Sequence, residues 1–396
     1  MKKVLIYFTQ FDQALGGSEF TPLAFISELQ KRCEVTLALN WRSDVGRAAE
    51  TLGIEIDLSR LRIEYVKPEN AWLKKLDSIL PFYRTRRLKQ LAKEADVCIS
   101  TANMFDFGKP AHHFVYLLRL FGDNAFCDYL RGKPSPRGLA GFRRGLRTFL
   151  AENLLRPLLG IRSTRKILAD PEEHIYPTSH YVEKVMRGFY GEFNSTVFYP
   201  PTIFEFSEAG LERDPLQVVC LGQLFPEKRL RDVIAIVEHA REISGLDLKL
   251  SFGGPLNARA YVAGLRKEAA EKPWMRLAGP VYGKEKEHFL LRATYAVHAE
   301  RDEAFGIVAA EYLKGGLIPV VPDEGGTPEI VDDPALTYHT VEDGARILAK
   351  LALDEAFRTE RRCRCAERAG RFAKQAYLEN QHRLLTRILE TAETGE

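Results

Sequence analysis

The stretch YAVHAERDEAFGIVAAEYLKGGLIPVV, residues 295–321, contains the pattern that decides the fold of this chain. A short apolar run at 295–298 precedes a helical pattern that ends at Gly315 and Gly316, and a second apolar run follows at 318–321. Two strands that are joined by a helix run parallel, and parallel sheets are covered by helices on both faces. The stretch therefore predicts one repeat of a doubly wound α/β domain.

The same alternation of short β-branched runs and longer helical patterns extends through both halves of the chain. The predicted strands lie at 218–221, 248–252, 276–278, 295–298, 318–321 and 336–338 in the second half, and at 4–8, 35–39, 61–66, 97–100 and 113–117 in the first half. A length of 396 residues exceeds what one hydrophobic core usually serves. We therefore expect two doubly wound α/β domains.

A proline pair marks the boundary between the two series. In the stretch 199–202, Tyr-Pro-Pro-Thr, consecutive prolines stiffen the chain and exclude a helix or a central strand. We predict an N-terminal domain at 1–203, a C-terminal domain at 204–375 and a final helix at 376–396 that can fold back over the first domain.

Composition argues against several classes of function. Lys and Arg total 57 against 54 acidic residues, and a net charge of +3 does not predict nucleic-acid binding over the whole surface. The six cysteines lack zinc-ligand spacing and predict reduced, structural thiols. The apolar run at the N-terminus is shorter than that of a signal peptide, and no run approaches the about 18 residues of a spanning helix. We expect a cytoplasmic protein, or one that is peripheral at the cytoplasmic face of a membrane.

The segment 131–166 departs from this balance. It contains ten Lys or Arg residues and one acidic residue, Glu152, and leucines and phenylalanines interleave with them at near-helical spacing. A basic amphipathic helix of this kind binds anionic membrane surfaces. The alternative is a solvated helix whose apolar stripe faces the core.

Two glutamates in the opening stretch are candidates for ligand binding. Glu303 and Glu311 are eight residues apart, slightly more than two helical turns, so both carboxylates can face one ligand if the helix includes them. The loop before this helix lies beyond the carboxyl end of a parallel strand, where open α/β sheets bind ligands and free N–H groups attract anions. The alternative is a surface helix with two solvated glutamates.

Three further loops have the residues that anion binding requires. Gly325 and Gly326 permit close approach of the backbone to a diphosphate, and Thr327 can cap the helix that follows. Lys228, next to Arg229, follows the first strand of the second half, where a cation would stabilise charge on a departing nucleoside diphosphate. In the first half, the Gly-Gly-Ser-Glu loop at 16–19 follows the first strand. Each loop taken alone is also explained by a tight turn or a charged helix end.

Together, in this order, these segments resemble the retaining GT-B glycosyltransferases of family 4, the glycosyl transferases group 1. The resemblance rests on 16–19, on Val-Phe-Tyr-Pro-Pro at 197–201, on Gly222 with Glu-Lys at 227–228, on Glu303-x7-Glu311 with Phe-Gly at 305–306, and on Gly-Gly at 325–326. It implies two Rossmann-like domains that face each other across a cleft, with the donor in the C-terminal domain and the acceptor over the N-terminal domain.

The resemblance also implies roles for individual residues. Glu303 would contact hydroxyls of the donor sugar, Glu311 the ribose hydroxyls, and Lys228 the diphosphate, so the expected catalytic residues are Glu303 and Lys228. The expected donor-binding residues are Gly17, Gly222, Lys228, Arg229, Phe305, Gly306, Ile307, Glu311, Gly326 and Thr327.

The implied reaction moves a hexose-type sugar from a UDP- or GDP-sugar to a glycan, lipid-linked or small-molecule hydroxyl acceptor, with retention of the anomeric configuration. No Asp-x-Asp motif is present, and fixed cations and helix N-termini can replace a divalent ion at a diphosphate, so we expect no required metal or other cofactor.

The chain departs from the family pattern after Gly222, where the family usually has an arginine and this chain has Gln223. A neutral side chain cannot supply that charge, and Arg229 or Arg301 is the candidate to compensate. The departure motivates an alternative function, a nucleotide-sugar-binding or regulatory protein of GT-B fold with weak or no transfer. No Gly-x-Gly-x-x-Gly or Walker loop supports an NAD-dependent or ATP-hydrolysing enzyme.

Overall fold

The computed structural model describes residues 1–11, 16–68, 70, 82–116, 150, 154–207 and 211–394. The chain divides into two compact units. Unit 1 comprises Met1–Pro200 together with Leu378–Glu396, and unit 2 comprises Pro201–Tyr377. Each unit is built on a six-stranded sheet.

Unit 1 contains a parallel sheet in the order β3-β2-β1-β4-β5-β6. Its elements in chain order are β1 (Lys2–Phe8), α1 (Gly17–Leu29), β2 (Cys33–Leu39), α2 (Val45–Thr51), β3 (Leu61–Tyr65), α3 (Phe82–Ala92), β4 (Val97–Ser100), β5 (His112–Val115), α4 (Arg156–Leu158), α5 (Thr164–Leu168), β6 (His174–Pro177) and α6 (His180–Tyr190).

The last strand of unit 1, β6, was not predicted. It is four residues long, begins with a histidine and ends with a proline, so it shows no apolar periodicity that distinguishes it from a loop. It forms a strand because its backbone pairs with β5, where His112 lies opposite His174. The predicted fifth strand at 113–117 begins one residue earlier and ends at Val115, and Leu117 lies outside the described residues.

The core of unit 1 lies on both faces of β1. Val4 and Ile6 pack on one face with residues of α1, while Leu5 and Tyr7 pack on the other face with residues of α3. Successive side chains of a strand point to opposite faces, so a strand that is covered on both sides is apolar at nearly every position. This is why the sequence of β1 reads as one continuous apolar run.

The C-terminal helix α14 (Lys374–Thr394) belongs to unit 1 from Leu378 onward. Leu385 and Ile388 are buried in the same cluster as β1 and β2. Gln381 donates a hydrogen bond from Nε2 to the carbonyl oxygen of Ala24, 2.8 Å away. The helix therefore covers one face of the sheet of unit 1.

A buried charge network in unit 1 includes one residue of the basic segment 131–166. The guanidinium of Arg162 lies 2.9 Å from Asp106 and 2.6 Å from Glu173, and both carboxylates are almost fully buried. Glu173 in turn lies 2.8 Å from Nε2 of the buried His113. Arg162 therefore stabilises the interior of unit 1 and does not contribute to the predicted membrane-facing charge.

Unit 2 contains a parallel sheet in the order β12-β11-β10-β7-β8-β9. Its elements are β7 (Asp214–Leu221), α7 (Leu230–Ser244), β8 (Lys249–Gly253), α8 (Arg259–Glu271), β9 (Met275–Gly279), α9 (Gly283–Leu291), β10 (Ala293–Val297), α10 (Ile307–Lys314), β11 (Ile318–Pro322), α11 (Thr327–Val331), β12 (Thr337–Tyr338), α12 (Val341–Leu353) and α13 (Glu355–Ala369), before α14 begins.

The fold class predicted from the sequence is confirmed. Read from one edge, each sheet has the doubly wound order in which the first and fourth strands of the unit are neighbours. In unit 2 these neighbours are β7 and β10. None of the helices in the described part of the chain combines the length and apolar character that crossing a bilayer requires.

Candidate functional site

The candidate site lies where the strand order of unit 2 reverses. The loops that leave the carboxyl ends of β7 and β10 start side by side, because these two strands are hydrogen-bonded neighbours. Open α/β sheets bind ligands at such a point. The loop after β7 contains Gly222 and Lys228, and the loop after β10 contains Glu303.

The loop after β7 is held close to the loop after β8. The N–H of Gly222 donates to the carbonyl oxygen of Gly253, 2.9 Å away, and a Cβ on Gly254 would overlap the carbonyl oxygen of Gly222. Gly222 and Gly254 also have φ angles of +147° and +139°, which favour glycine. A 3-10 turn, Pro226–Lys228, follows and ends in Arg229, whose left-handed backbone starts α7.

Lys228 forms the central ion pairs of the site. Its ammonium lies 2.7 Å from Oε2 of Glu303 and also contacts the carboxylate of Glu300. Burial by itself would lower the pKa of Lys228, but the two carboxylates outweigh burial, so this pKa is raised above its ordinary value. For Glu303 the two effects have opposite signs. Burial by itself would raise the pKa of Glu303, but the charge of Lys228 lowers it, and the net effect is a decrease. Lys228 is therefore charged and engaged by acidic groups.

Two residues that sequence reasoning did not single out complete this cluster. Burial and the neighbouring Glu303 raise the pKa of Glu300 to about 7. His298 is buried, and burial lowers the pKa of its imidazole to about 4, so the ring is neutral. Its Nε2 lies 3.9 Å from Oε2 of Glu303 and has no hydrogen-bond partner among the described residues. His298, Glu300 and Glu303 present ligand atoms that all lie within 4.8 Å of one another.

The loop after β10 and the loop after β11 are hydrogen-bonded to each other and closely packed. The N–H of Gly326 donates to the carbonyl oxygen of Glu303 at 2.8 Å. A Cβ on Gly326 would lie 2.7 Å from the carbonyl oxygen of Ala304 and 2.8 Å from Phe305, and a Cβ on Gly325 would lie 2.7 Å from the carbonyl oxygen of Arg301. Real Cβ atoms do not approach other atoms so closely, so the packing of the loops requires glycine at both positions.

Gly306 and Thr327 lie against each other at the starts of α10 and α11. Gly306 has φ +103°, and a Cβ there would lie 2.6 Å from Cγ2 of Thr327. Thr327 is fully buried, and its hydroxyl has no hydrogen-bond partner among the described residues. The side chain of Phe305 is buried with its ring 6.2 Å from that of Phe372, so only its backbone can meet a ligand. Ile307 is partly exposed at the first position of α10.

The two glutamates of the Glu-x7-Glu pair do not share one helix. Because Gly306 has a left-handed backbone, α10 begins only at Ile307 and leaves Glu303 in the loop. Glu311 is buried and accepts a hydrogen bond from Nζ of Lys286 on α9 at 2.6 Å. Glu303 and Glu311 are thus bound by different lysines, and the condition for a shared helical face, a helix that includes both glutamates, is not met. Lys286 and Glu311 lie far apart in the sequence, so no local pattern predicted that they contact each other.

The cations proposed to replace the missing arginine at Gln223 are both engaged by acidic groups. Nε of Arg229 donates to Asp232 at 2.7 Å. Arg301 donates to Asp323 at 3.2 Å. Compensation by either residue remains a prediction.

Gly17 belongs to unit 1. It begins α1, and Oε2 of Glu19 accepts a hydrogen bond from the N–H of Gly16 at 2.9 Å, which closes the first turn. The carbonyl oxygen of Gly17 accepts from the hydroxyl of Thr21 at 3.2 Å. Its predicted contact with a diphosphate stays a prediction.

The chemistry of the unit 2 site follows from these groups. A charged lysine and the N-terminus of α10 favour an anion such as a diphosphate. Carboxylates accept hydrogen bonds from sugar hydroxyls. One site thus places an anion-binding part next to a hydroxyl-binding part.

Residues 202–372 match the family model for glycosyl transferases group 1. No curated protein sequence matches the chain. Among solved structures, sucrose-phosphate synthase from Thermosynechococcus elongatus is 13% identical, with a TM-score of 0.67 over 99% of this chain and 100% of that one. HepE from Anabaena is 14% identical, with a TM-score of 0.61 over 98% and 100% of the two chains.

WaaG, a glycosyltransferase involved in lipopolysaccharide biosynthesis, is 13% identical, with a TM-score of 0.62 over 97% of this chain and 99% of that one. At these identities the likeness is one of fold, and it extends over both units. Residues 202–372, which contain the entire Lys228 cluster, form a glycosyl transferases group 1 domain. The chain thus contains a glycosyl transferases group 1 domain, and its two units together have the GT-B fold of these glycosyltransferase structures.

Proposed function

We propose that this protein transfers a hexose-type sugar from a nucleoside-diphosphate sugar to a hydroxyl of a carbohydrate, lipid-linked or small-molecule acceptor, with retention of the anomeric configuration. The observation that carries the proposal is the ion pair between Lys228 and Glu303 at the strand-order reversal of a glycosyl transferases group 1 domain.

The ion pair suits this reaction because donor binding gives each of its two residues a new partner. Lys228 exchanges Glu303 for the diphosphate, and Glu303 exchanges Lys228 for hydroxyls of the sugar. A diphosphate carries more negative charge than either carboxylate and attracts the ammonium of Lys228. Glu303 is then available to accept hydrogen bonds from hydroxyls of the sugar next to the diphosphate. As the bond to the sugar breaks, Lys228 and the N-terminus of α10 stabilise the charge on the leaving diphosphate. These groups supply the stabilisation for which a metal would otherwise be needed, so transfer should not require one.

UDP-sugars are the donors to test first. HepE has been solved with UDP-glucose, and TarM from S. aureus with UDP. Both have the fold of this chain, and the fold brings the same strand ends together. GDP-sugars remain the alternative donor class.

A thermal-shift and calorimetric screen of UDP, GDP, ADP and their common sugar conjugates tests the donor. We expect stabilisation by one nucleotide class, since a ligand that binds only the folded protein at 100 times its Kd adds about 2.7 kcal/mol of apparent stability. Glu311→Ala should abolish the shift, because Glu311 is the predicted partner of the ribose. Glu271→Ala removes an exposed carboxylate at the end of α8 and should leave it intact. No response to any nucleotide would contradict the proposal.

A nucleotide-sugar-binding protein without efficient transfer is the second candidate. The observation that favours it is that Gln223 supplies no charge while Arg229 and Arg301 are each bound by an aspartate. Binding of a donor, without donor hydrolysis or transfer above background, would support this candidate. Turnover that Glu303→Ala abolishes would support the transferase.

Association with an anionic membrane surface is a separate part of the proposal. In the described part of the segment 131–166, the side chains of Leu154 and Leu158 are 53% and 75% exposed, and Leu155 and Leu159 are each 40% exposed. The residues 131–149 and 151–153 lie outside the described residues. Exposed leucines beside basic residues are the combination that binds anionic lipid at the cytoplasmic face of a membrane.

Vesicle co-sedimentation tests this association. We expect vesicles that contain anionic lipid to retain the protein at low salt, and a double variant, Leu154→Glu with Leu158→Glu, to be released. Leu353→Glu changes an equally exposed leucine in unit 2 and serves as the control. Equal retention of all three proteins, or of none, would remove the membrane from the proposal and favour a soluble acceptor.

A further inference from the structure

The cluster beside Lys228 contains a set of side chains that a diphosphate does not require. We propose that His298, Glu300 and Glu303 form a binding site for a divalent transition-metal ion, with the ammonium of Lys228 as the internal cation that competes for the same carboxylates. This inference concerns metal binding and does not depend on the transfer activity proposed above.

The spacing of the ligand atoms supports the site. One nitrogen and two carboxylate oxygens lie within 4.8 Å of one another, and Nε2 of His298 is 3.9 Å from Oε2 of Glu303. With metal–ligand distances of about 2.1 Å, two ligands of one tetrahedral ion lie about 3.4 Å apart. Small rotations of the two glutamate side chains would bring the set to this spacing.

His298 provides an observation that is independent of the acidic residues. Its side chain is 4% exposed, and Nε2 faces Glu303 without a hydrogen-bond partner among the described residues. Buried polar atoms are rarely left without partners, so each such atom requires an explanation. A metal ion accounts for the imidazole nitrogen, since imidazole is the commonest protein ligand of transition metals.

The backbone holds His298 in this position. Its N–H donates to the carbonyl oxygen of Val320 on β11 at 3.0 Å, and its carbonyl oxygen accepts from the hydroxyl of Tyr338 at 2.8 Å. The residue therefore continues β10 at the centre of the sheet and is well placed to be a rigid ligand. Glu300 and Glu303 follow in the loop and can adjust around it.

The ligand set selects the class of ion. One imidazole and two carboxylates suit zinc, manganese or cobalt, whereas calcium and magnesium prefer sets made only of oxygen. Zinc is the best probe because a set of three protein ligands with an open position is common for it.

The ammonium of Lys228 occupies the two carboxylates, so a metal ion can bind only when Lys228 leaves them. Its ammonium contacts Glu300 and Glu303, so it neutralises the charge that would attract a metal, and a metal between these carboxylates would repel it. Metal and ammonium therefore exclude each other. If the proposed donor binding draws Lys228 toward a diphosphate, the carboxylates become available, and this last step alone depends on the proposed function.

Isothermal titration of the full chain with zinc chloride, without any nucleotide, tests the site. The protein is first freed of metal with EDTA and contains Cys363→Ser, because the exposed thiol of Cys363 would itself bind zinc. We expect one bound zinc ion, and Lys228→Met should bind it at least tenfold more tightly. His298→Ala and Glu300→Gln should each bind it at least tenfold more weakly.

A matched control uses the exposed His339, whose Nδ1 lies 2.9 Å from Asp323 in the same unit. His339→Ala should leave zinc affinity unchanged, and circular dichroism should show that each variant is folded. Binding that is insensitive to His298→Ala, or that disappears with His339→Ala, would overturn the proposal even if Lys228→Met fails to fold. Cobalt replaces zinc in a second titration, since its d–d absorption bands report the coordination number of the bound ion and should change with His298→Ala.

The outcome for the metal can be separated from the outcome for the donor. The zinc titration contains no nucleotide, so a lack of metal binding leaves the donor screen unaffected. If both proposals hold, EDTA does not lower transfer, and zinc inhibits it because it occupies Glu303. A protein that binds zinc but no nucleotide would support the metal site and contradict the transferase.

Discussion

Glu303→Gln is expected to reduce sugar transfer about 100- to 1,000-fold, the usual effect of removing one group that stabilises a transition state. Glutamine has the same shape but cannot pair with the ammonium of Lys228 at 2.7 Å or accept hydrogen bonds with a full negative charge. The protein should stay folded, because Glu300 still contacts Lys228.

The same variant should separate binding of the diphosphate from transfer of the sugar. With Glu303 neutral, Lys228 has one fewer competing carboxylate, so the nucleoside diphosphate without its sugar should bind as tightly as before or more tightly. The measurements are initial rates with donor and acceptor and calorimetric titration of the nucleotide. Glu324→Gln, which changes an exposed glutamate near the same loop, is the control. Full turnover by Glu303→Gln would show that this carboxylate has no part in the chemistry.

Gly326→Ala is expected to disrupt the donor site from within the loop. The new methyl group would lie 2.7 Å from the carbonyl oxygen of Ala304 and 2.8 Å from backbone atoms of Phe305. Both neighbours are backbone atoms, so the two loops must move apart, and overpacking of this kind costs about 1–3 kcal/mol. We expect a lower melting temperature and a donor affinity reduced at least about tenfold, since tenfold corresponds to about 1.4 kcal/mol.

Gly370→Ala is the matched control for Gly326→Ala. Gly370 has a helical φ of −56°, and a Cβ there meets nothing within 4 Å. Alanine should therefore be neutral or slightly stabilising at this position. Melting curves and donor titrations compare the two variants. If Gly326→Ala had the same melting temperature and donor affinity as Gly370→Ala, the close packing of the loops after β10 and β11 would have no effect on the donor site.

The strands of unit 2 could be predicted because each is a buried apolar run between turn signals. All six predicted runs lie within or at the edges of β7 to β12. The strand β6 in unit 1 could not be predicted, because its four residues, with a histidine and a proline, have no periodicity of their own. A local pattern identifies strands that are buried on both faces. A short strand such as β6 can be identified only from its pairing with a neighbouring strand.

For the site, residue types and spacing indicated Lys228, Glu303 and the glycine pairs, but not their partners. His298, directly after β10, and Glu300, in the same loop as Glu303, were not singled out because neither belongs to a motif. Lys286 could not be found from the sequence, since its contact with Glu311 joins two helices. The sequence left open whether one helix includes both glutamates, and the helix begins after Glu303, because Gly306 adopts a left-handed backbone.

The doubly wound architecture could be predicted from the sequence, because apolar runs, helical patterns and glycine turns are local properties that each segment expresses independently. The sequence also placed the candidate residues after β7, β10 and β11. Only the tertiary structure decided which charges meet, since the sheet order makes β7 and β10 neighbours although they are far apart in the chain. That adjacency brings Lys228 between Glu300 and Glu303, and the strength of an ion pair depends on distance and burial, neither of which a sequence contains.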